Sequence, residues 1–238
     1  MAERDGEKNT NPVIVTPNAA IQTSVQVSDF FLCKDCERLF SERGERWVLE
    51  HCWQADTSFP LRDSLRSAKP IHSGKTGSEI YSGATNPDVD VSKIAYFAAS
   101  VFWRAAAHQF GPILREKPMR LTLGPYEEKL RTYLLDQSRF PSDAALLVHV
   151  SPEKHEQAVE FALLPYPRQR RSGFVRYGFA LPGVMFQLCL GGQIPAAINA
   201  CCIVHSPDKL IFLGPVDGWL NDAGALISRS TPKGGLHQ

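Results

Sequence analysis

Cys33 and Cys36 stand in a Cys-x-x-Cys spacing between an apolar run, Phe31-Leu32, and a helical pattern that begins at Asp35. Two thiolates at a turn entering a helix can fill half of a tetrahedral zinc shell, which needs four ligands. The same pair at a helix N-terminus can be redox-active, because the helix dipole stabilises a thiolate there. A third reading takes both cysteines as buried apolar side chains left from a lost metal site. His51 and Cys52 are the nearest further donors in sequence. In a straight helix, however, Cys52 lies 16 residues beyond Cys36, about 24 Å along the axis. They can join the pair only if the helix folds back at Gly44. His72, Cys189, Cys201 and Cys202 have no spacing that ties them to it.

Two other constellations carry chemistry. Ser100, Arg104 and His108 recur every four residues and form a polar stripe on an otherwise apolar helical pattern. A guanidinium there needs a partner. That partner is either a substrate phosphate or carboxylate, bound bidentately, or an acidic residue such as Glu128. Arg168, Arg170, Arg171 and Arg176 fall within nine residues that hold no acid, beside Tyr166, Phe174 and Tyr177, in an expected hairpin loop. Basic groups among aromatics can grip phosphates and stack bases; the plainer alternative is a solvated turn that protects a sheet edge. Ser73-Gly74-Lys75-Thr76 echoes the end of a phosphate-binding loop, but Lys69 stands where its first glycine is required. His149, His155, His205 and His237 have no partner at catalytic spacing and receive no role.

Phe31-Leu-Cys-Lys-Asp-Cys-Glu-Arg-Leu-Phe, followed by Gly44-Glu45-Arg46, resembles the second knuckle and following helix of bacterial HNH-like, treble-clef proteins of unassigned function. Phe102-Trp-Arg-Ala and Leu123-Gly-Pro-Tyr-Glu-Glu are similar to segments that trail the knuckle in those chains, so the resemblance spans roughly 31 to 136. It implies zinc as the cofactor, with Cys33 and Cys36 as structural ligands. Such relatives carry an earlier Cys-x-x-Cys and a Ser-His segment that supply the other ligands and, in nucleases, the general base. Neither precedes Cys33 in this sequence, so only Cys33 and Cys36 are carried over.

The elements that must position these residues follow from periodicity. Residues 1–24 read as a flexible arm and 25–140 as a knuckle and helical region. Residues 141–228 read as an antiparallel β region packed on the helices, within one compact domain. A helix from Asp35 to about Gln54 has its apolar stripe at Leu39, Phe40, Trp47, Val48 and Cys52, with a kink at Gly44. Residues 55–90, rich in Pro, Gly and Ser, read as a connector. Asp90 or Ser92 caps a helix over Lys93–Gln109, apolar nearly all round and hence central and buried, which Gly111-Pro112 stops. Pro125 opens a shorter amphipathic helix. Strand-like runs follow at 144–150, 158–164, 173–181, 184–190, 197–205 and 209–214, with a hairpin turning at Pro207-Asp208. In a strand over 197–205, Cys201 and Cys202 point to opposite faces. Helices followed by sequential strands make an α+β protein with a mostly antiparallel C-terminal sheet.

Composition narrows function without choosing it. The chain has 238 residues, 43% of them hydrophobic and 21% charged, with 26 basic and 25 acidic side chains. A net charge of +1 gives no global field for nucleic acid or an anionic membrane, so anion binding must come from a local patch. Six cysteines are few for this length, and a polar N-terminus lacks the apolar core of a secretory signal, which points to the cytoplasm. Tyr177 to Pro207 holds no charged side chain, but Pro and Gly cut it into strand-length pieces, so a membrane partner is not expected. The leading expectation is a degenerate HNH-like protein that binds nucleic acid or another anionic partner. The alternatives are a metal-dependent nuclease or small-molecule enzyme built on Arg104 and His108, and a structural or partner-binding subunit.

Overall fold

The computed structural model describes residues 31–52, 54, 58–75, 77–109, 120–152, 162–171 and 173–214, with the backbone of short strands at 13–15, 19–22 and 231–232. Strands β1 (Val13–Val15) and β2 (Ala19–Gln22) pair antiparallel, within the stretch expected to be an arm. Helix α1 (Lys34–Phe40) runs without a break through a π-helical turn, Ser41–Glu45, into α2 (Arg46–His51). After α3 (Pro60–Ser67) come β3 (His72–Ser73), β4 (Glu79–Ser82), α4 (Val91–Ala107) and α5 (Tyr126–Leu134). The C-terminal half holds β5 (Ala144–Val150), β6 (Leu163–Arg171), β7 (Phe174–Leu181) and β8 (Val184–Leu190). Helix α6 (Ala196–Ala200), β9 (Leu210–Leu213) and β10 (Thr231–Pro232) complete it, and β10 pairs parallel with β2.

Helix α4 forms because Asp90 caps it and little in it is polar. The Asp90 carboxylate accepts the Lys93 N–H at 3.0 Å, satisfying one of the free donors of the first turn. Ile94, Ala95, Tyr96, Phe97, Ala98, Ala99, Ser100, Phe102 and Ala106 are all buried. One side of α4 meets the seven-stranded sheet, ordered β3-β4-β9-β5-β8-β7-β6, in which only β5 and β9 run parallel. There Phe97 and Phe102 set their rings edge-on to Phe179, at centroid distances of 6.0 and 5.0 Å, and Phe179 stacks on Phe186 at 4.6 Å. Tyr96 donates its hydroxyl to the Leu134 carbonyl at 2.9 Å, tying α5 to the same helix. On the sheet's other face, α6 and Ile194 close a smaller apolar cluster with Ala145, Phe174, Cys189 and Cys202.

The other side of α4 meets the first helical run at Gly44. A Cβ on Gly44 would lie 2.8 Å from both the Lys93 carbonyl oxygen and the Phe97 nitrogen, so only a glycine lets the two backbones touch there. The expected kink is thus a π turn, which adds a residue to the helical repeat and re-aims the apolar stripe so that Phe40, Gly44 and Val48 are all buried.

Four expectations need correction. Residues 55–90 are more than a connector: Phe59, Leu61, Leu65 and Tyr81 enter the main core through α3 and β4. Residues 197–205 are not a strand, because Pro195 starts the short helix α6 and turns follow it. A short apolar run does not reveal its period. Cys201 therefore ends a helix, while buried Cys202 accepts the Leu146 N–H on its sulfur at 3.3 Å. Pro207-Asp208 do sit in a turn closed by the Lys209 N–H on the Ser206 carbonyl, but β9 pairs with β4 and β5 rather than folding back as a hairpin. The arginine segment is strand, not loop. β6 continues through Pro165 and Pro167 because it is the edge strand and its register shifts at both sites. Helix α4 ends at Ala107; the expected stop at Gly111-Pro112 and most of the expected run 158–164 lie outside the described residues.

No described helix is long and apolar enough to cross a membrane. Gly44→Ala should lower unfolding free energy by about 2 kcal/mol, since overpacking against immobile backbone outweighs alanine's better helix propensity of about 1 kcal/mol. Urea unfolding at matched pH measures this; a variant as stable as the parent would show that the crossing tolerates a methyl group.

Candidate functional site

The Cys-x-x-Cys lies where α1 begins, and Cys33 is its N-cap. Cys33 is extended, with φ −74° and ψ 160°, and its sulfur accepts the Cys36 N–H at 3.4 Å. The Cys36 backbone N–H and then the Cys36 side chain hold the Cys33 pKa below the ordinary thiol value. The neighbouring Cys33 side chain, followed by desolvation, raises that of Cys36. Cys33 is exposed and Cys36 half-buried. Phe31 anchors the entry to this turn, its ring 5.4 Å from Trp103 and 4.7 Å from His108 at the end of α4.

A structural zinc site needs four ligands, and among the described residues no third His, Cys, Asp or Glu groups with Cys33 and Cys36, so those residues supply two of the four. The helix does not fold back, so His51 and Cys52 remain at its far end. There His51 stacks on Trp47 and bonds the Trp47 carbonyl, and burial pushes the Cys52 thiol up to about 12. Cys189 and Cys202 belong to the cluster beneath α6, across the sheet from the helices.

Two members of the polar stripe on α4 stay together, Arg104 donating to the Ser100 hydroxyl at 3.5 Å. Ser100 donates to the Phe97 carbonyl at 2.8 Å, inside its own helix. Arg104 donates to Glu45 at 3.2 Å and lies over the Phe40 ring, 5.9 Å from its centroid. The expected acidic partner, Glu128, instead pairs with Arg131 on its own helix at 2.7 Å. His108 is the C-cap, in an extended conformation, so it leaves the stripe and joins Phe31. Arg104 thus fastens the first helical run to α4, about two turns along α4 from the Gly44 crossing at Phe97.

The arginines lie on the two outermost strands of the sheet. Gln169 pairs with Arg176, Arg170 with Val175 and Arg171 with Phe174, around a tight turn at Gly173 with φ +85°. Arg176 shares a row with Cys189 and Ala145, on the sheet face away from α4. Arg168, beside the register shift, acts electrostatically on His149 and Cys189 of that face. His149 stacks on Phe212 with centroids 4.9 Å apart, and its buried Nε2 has no hydrogen-bond partner. Burial first, then the charges of Arg168 and Arg176, pushes its pKa down to about 4. The buried Nε of Arg176 is also unpartnered.

The acid-free stretch around the arginines extends from Glu160 to Asp208, with no Asp or Glu between them. His149, dismissed for want of a partner at catalytic spacing, is the side chain on which that positive charge registers.

Comparison of the chain with protein-family models, curated proteins and solved structures gives no match.

Two outcomes test these assignments. A double-mutant cycle of Arg104→Met and Glu45→Gln should give a coupling of about 1 kcal/mol, the scale of a partly exposed ion pair. Both single variants should fold. For His149, the folded pKa of about 4 lies below the ordinary histidine value of 6.5, so the unfolded chain binds the extra proton between those pH values. Stability should therefore fall as pH drops from 6.5 toward 4, with a slope approaching one proton, and His149→Leu should remove that component from denaturation curves.

Proposed function

We propose that this protein binds nucleic acid, gripping backbone phosphates with the arginines of β6 and β7, and that it is a degenerate relative of HNH-like treble-clef proteins. The observation that carries the reading is a concentration of charge. Arg168, Arg170, Arg171 and Arg176 fall on two adjacent strands at one sheet edge, inside a segment free of carboxylates from 161 to 207. The neutral overall balance hides this local excess. The depressed His149 pKa supports it, since two of these arginines raise the potential at that ring. Arginine suits phosphate because its fork donates in pairs.

The alternative built on Arg104 and His108 has weaker support. Arg104 is occupied by Glu45 and Phe40, and His108 is the extended C-cap of α4, its ring against Phe31.

Fluorescence anisotropy with labelled single- and double-stranded oligonucleotides tests the proposal. Binding should weaken with salt as counterions are released, and Arg168→Ala and Arg171→Ala should each reduce the log–log salt slope by about 1. No binding at low salt, or binding unchanged in the double variant, would reject it.

A further inference from the structure

We infer that Cys33 and Cys36 form a thiol–disulfide exchange centre, a chemistry independent of nucleic-acid binding. The inference rests on contact, access and contrast. The Cys36 N–H donates to the Cys33 sulfur at 3.4 Å across the first turn of α1, which places the two cysteines on one turn, three residues apart and within reach of a disulfide. Cys33 is exposed and Cys36 half-buried, whereas Cys52, Cys189 and Cys202 are buried; only Cys201 shares partial access, and it is placed beyond the sheet at the end of α6. The chain on either side is held. Phe31 is clamped on Trp103 and His108, and the turns that follow Cys36 are fixed to α4 through Phe40 and Gly44. A pair held this way cannot drift apart when reduced, which favours closing the ring over capturing a second protein chain.

The substrate class is a low-molecular-weight disulfide. The Cys33 thiolate attacks one sulfur of that disulfide, forming a mixed disulfide and releasing one thiol. Cys36, losing its proton to solvent, then attacks the Cys33 sulfur and releases the second thiol. Two cysteines are thereby oxidised, one external disulfide is reduced to two thiols, and two electrons are transferred. Closure replaces the Cys33 thiolate with a neutral disulfide sulfur, a weaker acceptor for the Cys36 N–H, so the exchange also alters the cap of α1.

The test uses the full chain, reduced and then equilibrated in glutathione buffers of graded ratio, with differential alkylation read by mass spectrometry. The expected result is one intramolecular Cys33–Cys36 disulfide per chain. Cys36→Ser should accumulate glutathione at Cys33, at least about tenfold faster than Cys201 reacts in the same molecule. Cys33→Ser should abolish the reaction at this pair while keeping the helix cap, because serine is a strong N-cap residue. Circular dichroism confirms that each variant is folded. Oxidation confined to Cys201, disulfide-linked dimers in place of the internal bond, or equal glutathionylation of Cys33 and Cys201 in Cys36→Ser would each overturn the inference.

Discussion

The backbone contact between Gly44 and α4 is the constraint on which the other arrangements rest. Helix α4 must be covered on both sides, since nine of its residues are buried, and the sheet can cover only one. The first helical run covers the other by coming within van der Waals distance of the α4 backbone, which a Cβ at Gly44 would prevent. Burial of this size follows from apolar area rather than from any single bond, as each large side chain removed from water contributes about 1.5–3 kcal/mol. The close approach determines where those side chains go. Phe40 meets Tyr96 and Trp103 edge-on, Arg104 reaches Glu45, and Arg43 pairs with Asp136 beyond α5. Each of these contacts exists because the two helices cross at that point.

The crossing also explains the state of the thiol pair. A helix start is ordinarily a frayed end, with free N–H groups and mobile side chains. Here the end is held from both sides, by Phe31 against the terminus of α4 and by Phe40 one turn beyond Cys36. The Cys33 sulfur serves as the cap that serine or aspartate more often provides. Reactivity and structure thus share one atom. The sheet, meanwhile, separates this region from Cys189 and Cys202, which lie under α6 on its far face.

Much of the architecture was legible from one-dimensional pattern. The boundaries of β5 and β8 coincide with the expected runs at 144–150 and 184–190, because continuous apolar stretches of that length between turn signals have few other uses. Asp90 was readable as a cap and α4 as the central helix for similar reasons. The failures were also physical. Ala196–Ala200 carries too few residues to display a period, so its helix could not be told from a strand. β6 was obscured by two prolines that an edge strand tolerates and a central one would not. The core residues of 55–90 were hidden by the glycines and serines around them.

The candidate sites divide along the same line. Sequence alone determined which residues had chemistry to offer: a dithiol at a helix start, a guanidinium on an apolar helix, and a run of arginines without acids, since spacing and composition are local properties of the chain. Which partner each one meets was decided only by tertiary structure. Arg104 finds Glu45, 59 positions away, rather than Glu128, and Arg168 and Arg176 act together on His149 across the strands between them. The reason is that long-range neighbours are set by how helices cross and strands order in a sheet, and neither Gly44's contact with α4 nor the order β5-β8-β7-β6 is written in any local pattern.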